Sequence, residues 1–175
     1  MMRPILFITI FLLLAAPSAA QTHFYLDEPF KRPAKIPDGL VPLLRNEIKS
    51  VCQGDAVFQA TDSRSLFTAS KITLNGSHGG FILKSGHHCL TGVDNDWFWV
   101  FLRTARDYRL VLTGGTISVD VLATKSRGLR DIETNGATAR TNYKDLYKFN
   151  GTVYKTHRCW QSTPVEAKPQ RVPCH

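Results

Sequence analysis

The stretch KITLNGSHGGFILKSGHHC, Lys71 to Cys89, places His78, His87, His88 and Cys89 among closely spaced glycines. Three chemistries use that composition: a metal site, a phosphate loop, or a pair of turns between strands. A structural zinc site draws about four nitrogen or sulfur ligands to one point. His87 and His88 are adjacent, so in extended backbone they point to opposite faces and do not readily chelate one ion together. Neither H-E-x-x-H nor H-x-H spacing is present. A P-loop needs G-x-x-x-x-G-K-[ST] opening a helix, whereas Lys84-Ser85 follows a strand pattern. The stretch is therefore expected to be turns, with Lys71–Leu74 and Phe81–Lys84 as strands and Asn75, Gly76, Gly79 and Gly80 present for backbone geometry, glycine reaching positive φ at little cost.

Other catalytic arrangements are no better marked. There is no G-x-S-x-G elbow for a nucleophilic serine. Asp94 and Asp96 in TGVDNDW are two apart and suit a turn better than a pair of glycosidase carboxylates. No metal ligand set, catalytic centre or cofactor is singled out.

The cysteines have a different use. Cys52, Cys89, Cys159 and Cys174 are even in number and lack C-x-x-C spacing, which argues against redox or zinc-ribbon chemistry and for two disulfides. Four cysteines allow three connectivities. Cys52–Cys89 and Cys159–Cys174 are favoured, because the second pair would fasten a short, proline-bearing polar tail that otherwise frays, and long-range crossing stays open. Disulfides require an oxidising compartment, and residues 1–20, MMRPILFITIFLLLAAPSAA, read as a signal peptide: an early Arg3, an apolar run and an A-x-A-like end. That run is shorter than the roughly 18 residues of a membrane span, and Trp97–Leu102 is only strand-length, so no transmembrane segment is expected in the mature chain. The expected location is extracytoplasmic, either secreted or in a bacterial periplasm.

About 155 residues then remain, one domain's worth. The whole chain carries a net charge of +8. Basic secreted proteins often meet anionic partners, but the Lys and Arg residues are scattered and no nucleic-acid motif accompanies them.

The elements that must position these residues follow from periodicity. Gln21–Pro37, with three prolines and no period, reads as an extended lead segment before a single domain over 38–175. In IPDGLVPLLRNEIKSVC, Leu40, Leu44, Ile48 and Val51 recur on one helical face beside Leu43, with Asp38 a candidate N-cap and Pro42 in the first turn. From Ala56 the period becomes two. Trp97, Trp99 and Phe101 share one strand face and Phe98, Val100 and Leu102 the other, so that strand is apolar on both sides and central. Tyr108, Leu110 and Leu112 alternate with Arg109 and Val111. Thr113-Gly114-Gly115-Thr116 then reads as a two-residue hairpin turn, and Phe149-Asn150-Gly151-Thr152 as a second hairpin. The expected fold is mainly β, an antiparallel meander forming a sandwich, small barrel or twisted sheet, with one N-terminal helix packed on it.

Two segments carry a resemblance. ITLNGSHGGFIL looks like a decayed D-x-N-x-D-G-x-x-D loop of FG-GAP-type secreted repeat proteins, and SRGLRDIET resembles its shorter partner G-x-x-D-[IL]. YKFNGTVYK with the following Cys159 resembles the Y-x-F-[DN]-G-x-x-Y hairpin of uncharacterised secreted bacterial proteins, and Cys89-Leu90-Thr91-Gly92 before the aromatic strand resembles their C-x-T-G segment. The resemblance implies an extracytoplasmic β module that binds partners. Calcium is not carried over, since the ligand positions read Asn75, Ser77 and Gly79 and no acid lies between Asp62 and Asp94.

The function expected is a non-catalytic binding module for an anionic polymer or an envelope protein, with an inhibitor or immunity role among its forms. Trp160, Tyr154, Arg158, Arg103 and Trp97 are its candidate contact residues, an aromatic and cationic set suited to sugars and anions. The alternative is a small basic secreted hydrolase of nucleic acid or cell-wall polymer, using His78, His87, His88 or His157 as acid or base. The two differ in one geometric feature: a hydrolase needs such an imidazole beside a second titratable group inside a cleft.

Overall fold

The computed structural model describes residues 22–52, 62–76, 78–91, 95–165 and 168–174. The candidate signal peptide, Ser77 and Asp94 lie outside them, as does the side chain of His88. Among the described residues, eleven antiparallel strands and one α-helix are arranged in three layers. One sheet has five strands in the order β2 (Pro33–Ala34), β3 (Phe67–Thr73), β4 (Gly79–Ser85), β5 (Asp96–Arg103) and β6 (Tyr108–Thr116). The other has six, β1 (His23–Tyr25), β7 (Ser118–Ser126), β8 (Leu129–Ala137), β9 (Asn142–Phe149), β10 (Tyr154–Ser162) and β11 (Gln170–Val172). Apart from β1, each sheet is a meander in chain order, and of the three architectures expected the open sandwich is the one formed.

The segment read as a lead is extended but belongs to both sheets. β1 pairs with β7 and β2 with β3, while Phe24, Leu26, Phe30 and Ile36 are buried. Lys84 fastens it: its Nζ donates to the Leu26 and Glu28 carbonyls and lies 5.3 Å over the Phe30 ring. Burial there lowers the pKa of the amine.

The helix α1 (Val41–Val51) follows a 3₁₀ turn at Asp38–Leu40. Leu40, Leu44 and Ile48 face the sheet as their spacing requires and are buried. Pro42 is in the first turn, where its missing N–H costs nothing. Asp38, expected as an N-cap, makes no capping bond and instead pairs with Arg64 Nη1 at 2.9 Å.

Two cores result. Between the sheets, Ile72, Ile82, Phe98 and Val100 meet Val119, Val121, Ile132 and Phe149. On the far face of the five-stranded sheet, Phe67, Phe81, Leu83, Trp99 and Phe101 meet the helix. That sheet is thus covered on both sides, which is why β5 is apolar on both faces.

One turn assignment is corrected. Gly114 and Gly115 do not form a hairpin. They lie inside β6, which continues through Ile117 into β7 in the other sheet. Both glycines underlie rings, a built Cβ falling 3.5 Å from Phe98 and 3.4 Å from Trp97. The two-residue turn belongs to Arg127-Gly128, whose φ values of 48° and 86° join β7 to β8. The Asn150-Gly151 hairpin does form, with Gly151 at φ 105°. The alternation of β6 is also broken. A bulge leaves Val111 extra between the pairs Val100–Leu112 and Phe101–Leu110, so Val111 and Leu112 both enter the inter-sheet core.

The disulfides are Cys52–Cys89 and Cys159–Cys174, as favoured. The first ties the helix end to the segment before β5 across 37 residues, and the second closes 15. Replacing Cys52 and Cys89 together by alanine is expected to cost about 2–5 kcal/mol, exceeding the Cys159/Cys174 pair by about 0.8 kcal/mol from loop-closure entropy alone. Comparative thermal unfolding of the two double variants checks this. A reversed order would mean that packing alone holds the helix on the sheet.

Candidate functional site

The stretch with the histidines is built as turns. The His78 carbonyl accepts from the N–H groups of Leu74 and Asn75 at 3.1 Å each, and Asn75 Oδ1 accepts from the His78 N–H. His87 lies 3.3 Å from Cys89 Sγ through Nδ1, and its N–H donates to Ser85 Oγ. Gly76, Gly79 and Gly80 do not have positive φ, so that part of the expectation is corrected. Gly80 is required for a different reason, close approach: a Cβ there would fall 1.9 Å from the Phe101 carbonyl oxygen. Among the described residues, no group of three His, Cys, Asp or Glu side chains converges as a metal site would.

The two segments that carry the FG-GAP resemblance touch each other. Asn75 Nδ2 donates to the Gly128 carbonyl at 3.2 Å and Arg130 N–H to the Leu74 carbonyl at 2.7 Å. This joins the β3–β4 loop to the β7–β8 hairpin and closes one end of the sandwich.

The five candidate contact residues are not gathered on one face. Tyr154 is a core residue, 4% exposed, stacked near Phe149 with its hydroxyl donating to the Arg130 carbonyl at 2.7 Å. Its strand alternation put it opposite Phe149 across the hairpin, and burial drives its pKa up. Trp97 is 38% exposed on the helix side of the five-stranded sheet, its Nε1 donating to Thr113 Oγ1. Arg103, at the end of the same strand, borders a hollow of ≈ 390 Å³ with His78. Trp160 and Arg158 lie on the outer face of the other sheet, and these two the fold does bring together.

That outer face is defined by register. Directly opposed residues in an antiparallel ladder share a face, so Tyr25, Ser118, Asn135, Lys144, Trp160 and Arg171 form one row across all six strands. Arg158, two residues from Trp160, points to the same side, because the bulge at His157 falls before it and the register from Arg158 to Trp160 is unbroken. Lys144 Nζ is held 2.9 Å from Glu133 Oε1. Arg158 and Arg171 are exposed and, among the described residues, in no ion pair.

Along this row runs a groove of ≈ 260 Å³, bordered by Ser118, Asn135, Asn142, Lys144, Trp160 and Ser162. A second hollow of ≈ 500 Å³ lies at β10 and β11, lined by His157, Arg158 and Arg171 together with Thr156, Val172 and Cys174. Among the described residues, neither lining includes an acid. The arrangement can stack a flat apolar surface on the indole, exchange hydrogen bonds with neutral polar groups, and receive negative charge beside it.

One polar pair escaped the sequence reading. His23 Nδ1 contacts Asp120 Oδ1 across β1 and β7, and Asp120 Oδ2 accepts from Asn135 Nδ2 at 3.3 Å. The partners are 97 residues apart, and only the pairing of the lead segment reveals them. This pair holds the edge strand in register. No family model, curated protein or solved structure matches the chain.

Proposed function

We propose that this protein is an extracytoplasmic, non-catalytic binding module that contacts an anionic partner through the outer face of its six-stranded sheet at β9–β11. The observation that carries the reading is the placement of Trp160 in register between Lys144 and Arg171, with Arg158 beside it on the same face. Exposed arginines without acidic partners beside a half-exposed indole suit recognition of a charged ligand, because the planar guanidinium grips carboxylate, sulfate or phosphate bidentately. The extracytoplasmic location is supported by two disulfides and the signal-like leader, and among the described residues no helix is long and apolar enough to cross a membrane. The hydrolase alternative draws less support. His157 is exposed at a bulge, His78 and His87 contact Asn75 and Cys89 within their own turns, and His23, which pairs with a carboxylate, is engaged in strand pairing.

Retention on a dextran sulfate matrix tests the reading. The Arg158→Ala/Arg171→Ala double variant is expected to bind roughly tenfold or more weakly than the unaltered chain, eluting at lower salt. Lys31→Ala/Lys35→Ala removes the same charge from exposed positions elsewhere and is expected to elute close to the unaltered chain. Coincident elution of the two double variants would mean that net charge, not this face, binds the matrix.

A further inference from the structure

We propose that the ligand of this face is an acidic glycan laid across the strands, with one sugar ring stacked on Trp160 and its carboxylate or sulfate groups received by Arg158 and Arg171. The inference rests on the binding-module reading and narrows it to a chemical class. The direction comes from the groove, which follows the cross-strand row Ser118, Asn135, Lys144 and Trp160 and not the strand axes. Its width is bounded by the next row, Asn142 and Ser162. Serine hydroxyls and asparagine amides in the groove both donate and accept, as do the hydroxyls around a sugar ring, while Ile117, Ala137 and Pro169 offer apolar wall to its C–H faces. The axial C–H face of the ring is apolar and fits the indole. The volume of ≈ 260 Å³ falls just below the roughly 300–1,000 Å³ of pockets that enclose a drug-sized molecule, as expected for a groove holding part of a chain.

The charged substituents are then placed by distance. Arg158 is two residues from Trp160 on β10, roughly 7 Å away, and Arg171 is its direct cross-strand neighbour. An acidic group on the stacked ring or the next one reaches Arg158 and Arg171 without leaving the face. Lys144 is held by Glu133 at the groove wall and is already neutralised, which leaves the two arginines as the anion contacts. Single-stranded nucleic acid is the other polyanion that combines stacking with basic groups, but it uses successive aromatic platforms along its path. On this row the next aromatic after Trp160 is Tyr25, four strands away, a separation of roughly 19 Å. Tyr143, also at the groove rim, has its hydroxyl engaged with the Gly115 carbonyl at 3.1 Å.

Titration calorimetry of the mature chain with an oligogalacturonate, a poly-glutamate of equal charge, a neutral oligoglucan and an oligo-dT separates the possibilities. The oligogalacturonate is expected to bind at least tenfold more tightly than the other three. Trp160→Ala and Arg158→Ala/Arg171→Ala are each expected to weaken it at least tenfold, while Trp160→Phe, which keeps a stacking face, retains most of it. Unchanged melting temperatures of these variants establish that the losses are local. Equal binding of poly-glutamate with no effect of Trp160→Ala would overturn the glycan inference and leave the binding face in place. Preference for oligo-dT that depends on Trp160 would overturn it in favour of nucleic acid. Binding of none of the four ligands, together with coincident elution of the two double variants from dextran sulfate, would overturn the binding-module reading itself.

Discussion

Trp99→Ala is expected to destabilise the protein by about 4 kcal/mol, and Trp97→Ala by well under half of that. The two indoles are two residues apart on the same strand face and differ in what covers them. Trp99 is 0% exposed beneath the helix, edge-to-face with Phe67 at 5.2 Å between ring centroids and its Nε1 donating to Glu47 Oε2 at 3.1 Å. Truncation removes the contact of helix with sheet at its centre and leaves Glu47 without that donor. Trp97 lies beyond the helix, 38% exposed, with its ring over Gly115. For a domain of this size about 4 kcal/mol corresponds to a fall in Tm of roughly 8–16 °C, which thermal unfolding followed by circular dichroism reads directly. Equal losses for the two variants would mean that the helix does not discriminate between them, and the three-layer packing would be wrong.

What the sequence made legible was local. Leu40, Leu44 and Ile48 recur at helical spacing because that face is buried, and the double-sided run Phe98–Leu102 announced a strand covered on both faces. Asn150-Gly151 encodes its hairpin because the turn itself demands positive φ at the glycine. The misread turns show the limit of that logic. Two adjacent glycines satisfy a hairpin, but they equally satisfy a strand that must pass beneath the rings of Trp97 and Phe98, and only the neighbouring strand decides which. Arg127-Gly128 was passed over for the converse reason, since arginine does not advertise a left-handed φ. Division of the meander into two sheets at Ile117 has no local signature at all, because the strand pattern continues through it.

The candidate site was half legible for the same reason. Residue type identified Trp160 and Arg158 as contact chemistry, and their spacing of two placed them on one face. Lys144, Arg171, Asn135 and Ser118 join them only through register with strands distant in the chain. Tyr154 lies in the core, because alternation alone does not say which side of the sheet is buried, and Trp97 and Arg103 lie on the other sheet. A face assembled from five or six strands is a property of pairing, and no window along the sequence contains it.

Gly80→Ala is expected to cost about 3 kcal/mol or more, although it adds a single methyl group. The reason lies in what the methyl would meet. The built Cβ falls 1.9 Å from the Phe101 carbonyl oxygen and 3.3 Å from Leu102 Cα, all backbone of the adjacent strand, so no side chain can turn aside to accommodate it. Relief requires β4 and β5 to separate where Gly80 pairs with Leu102, which loosens both the inter-sheet core and the face beneath the helix. Gly128→Ala, at φ 86° in open space, is expected to cost about 1 kcal/mol through backbone strain alone. Gly76→Ala, with no atom within 4 Å and no positive φ, is expected to fall within about 0.5 kcal/mol of the unaltered protein. Chemical denaturation of the three variants therefore ranks close approach above left-handed conformation and both above an unconstrained loop position. If Gly76→Ala proved as costly as Gly80→Ala, the β3–β4 loop would be holding something other than its own turn, and its histidines would again need a chemical explanation.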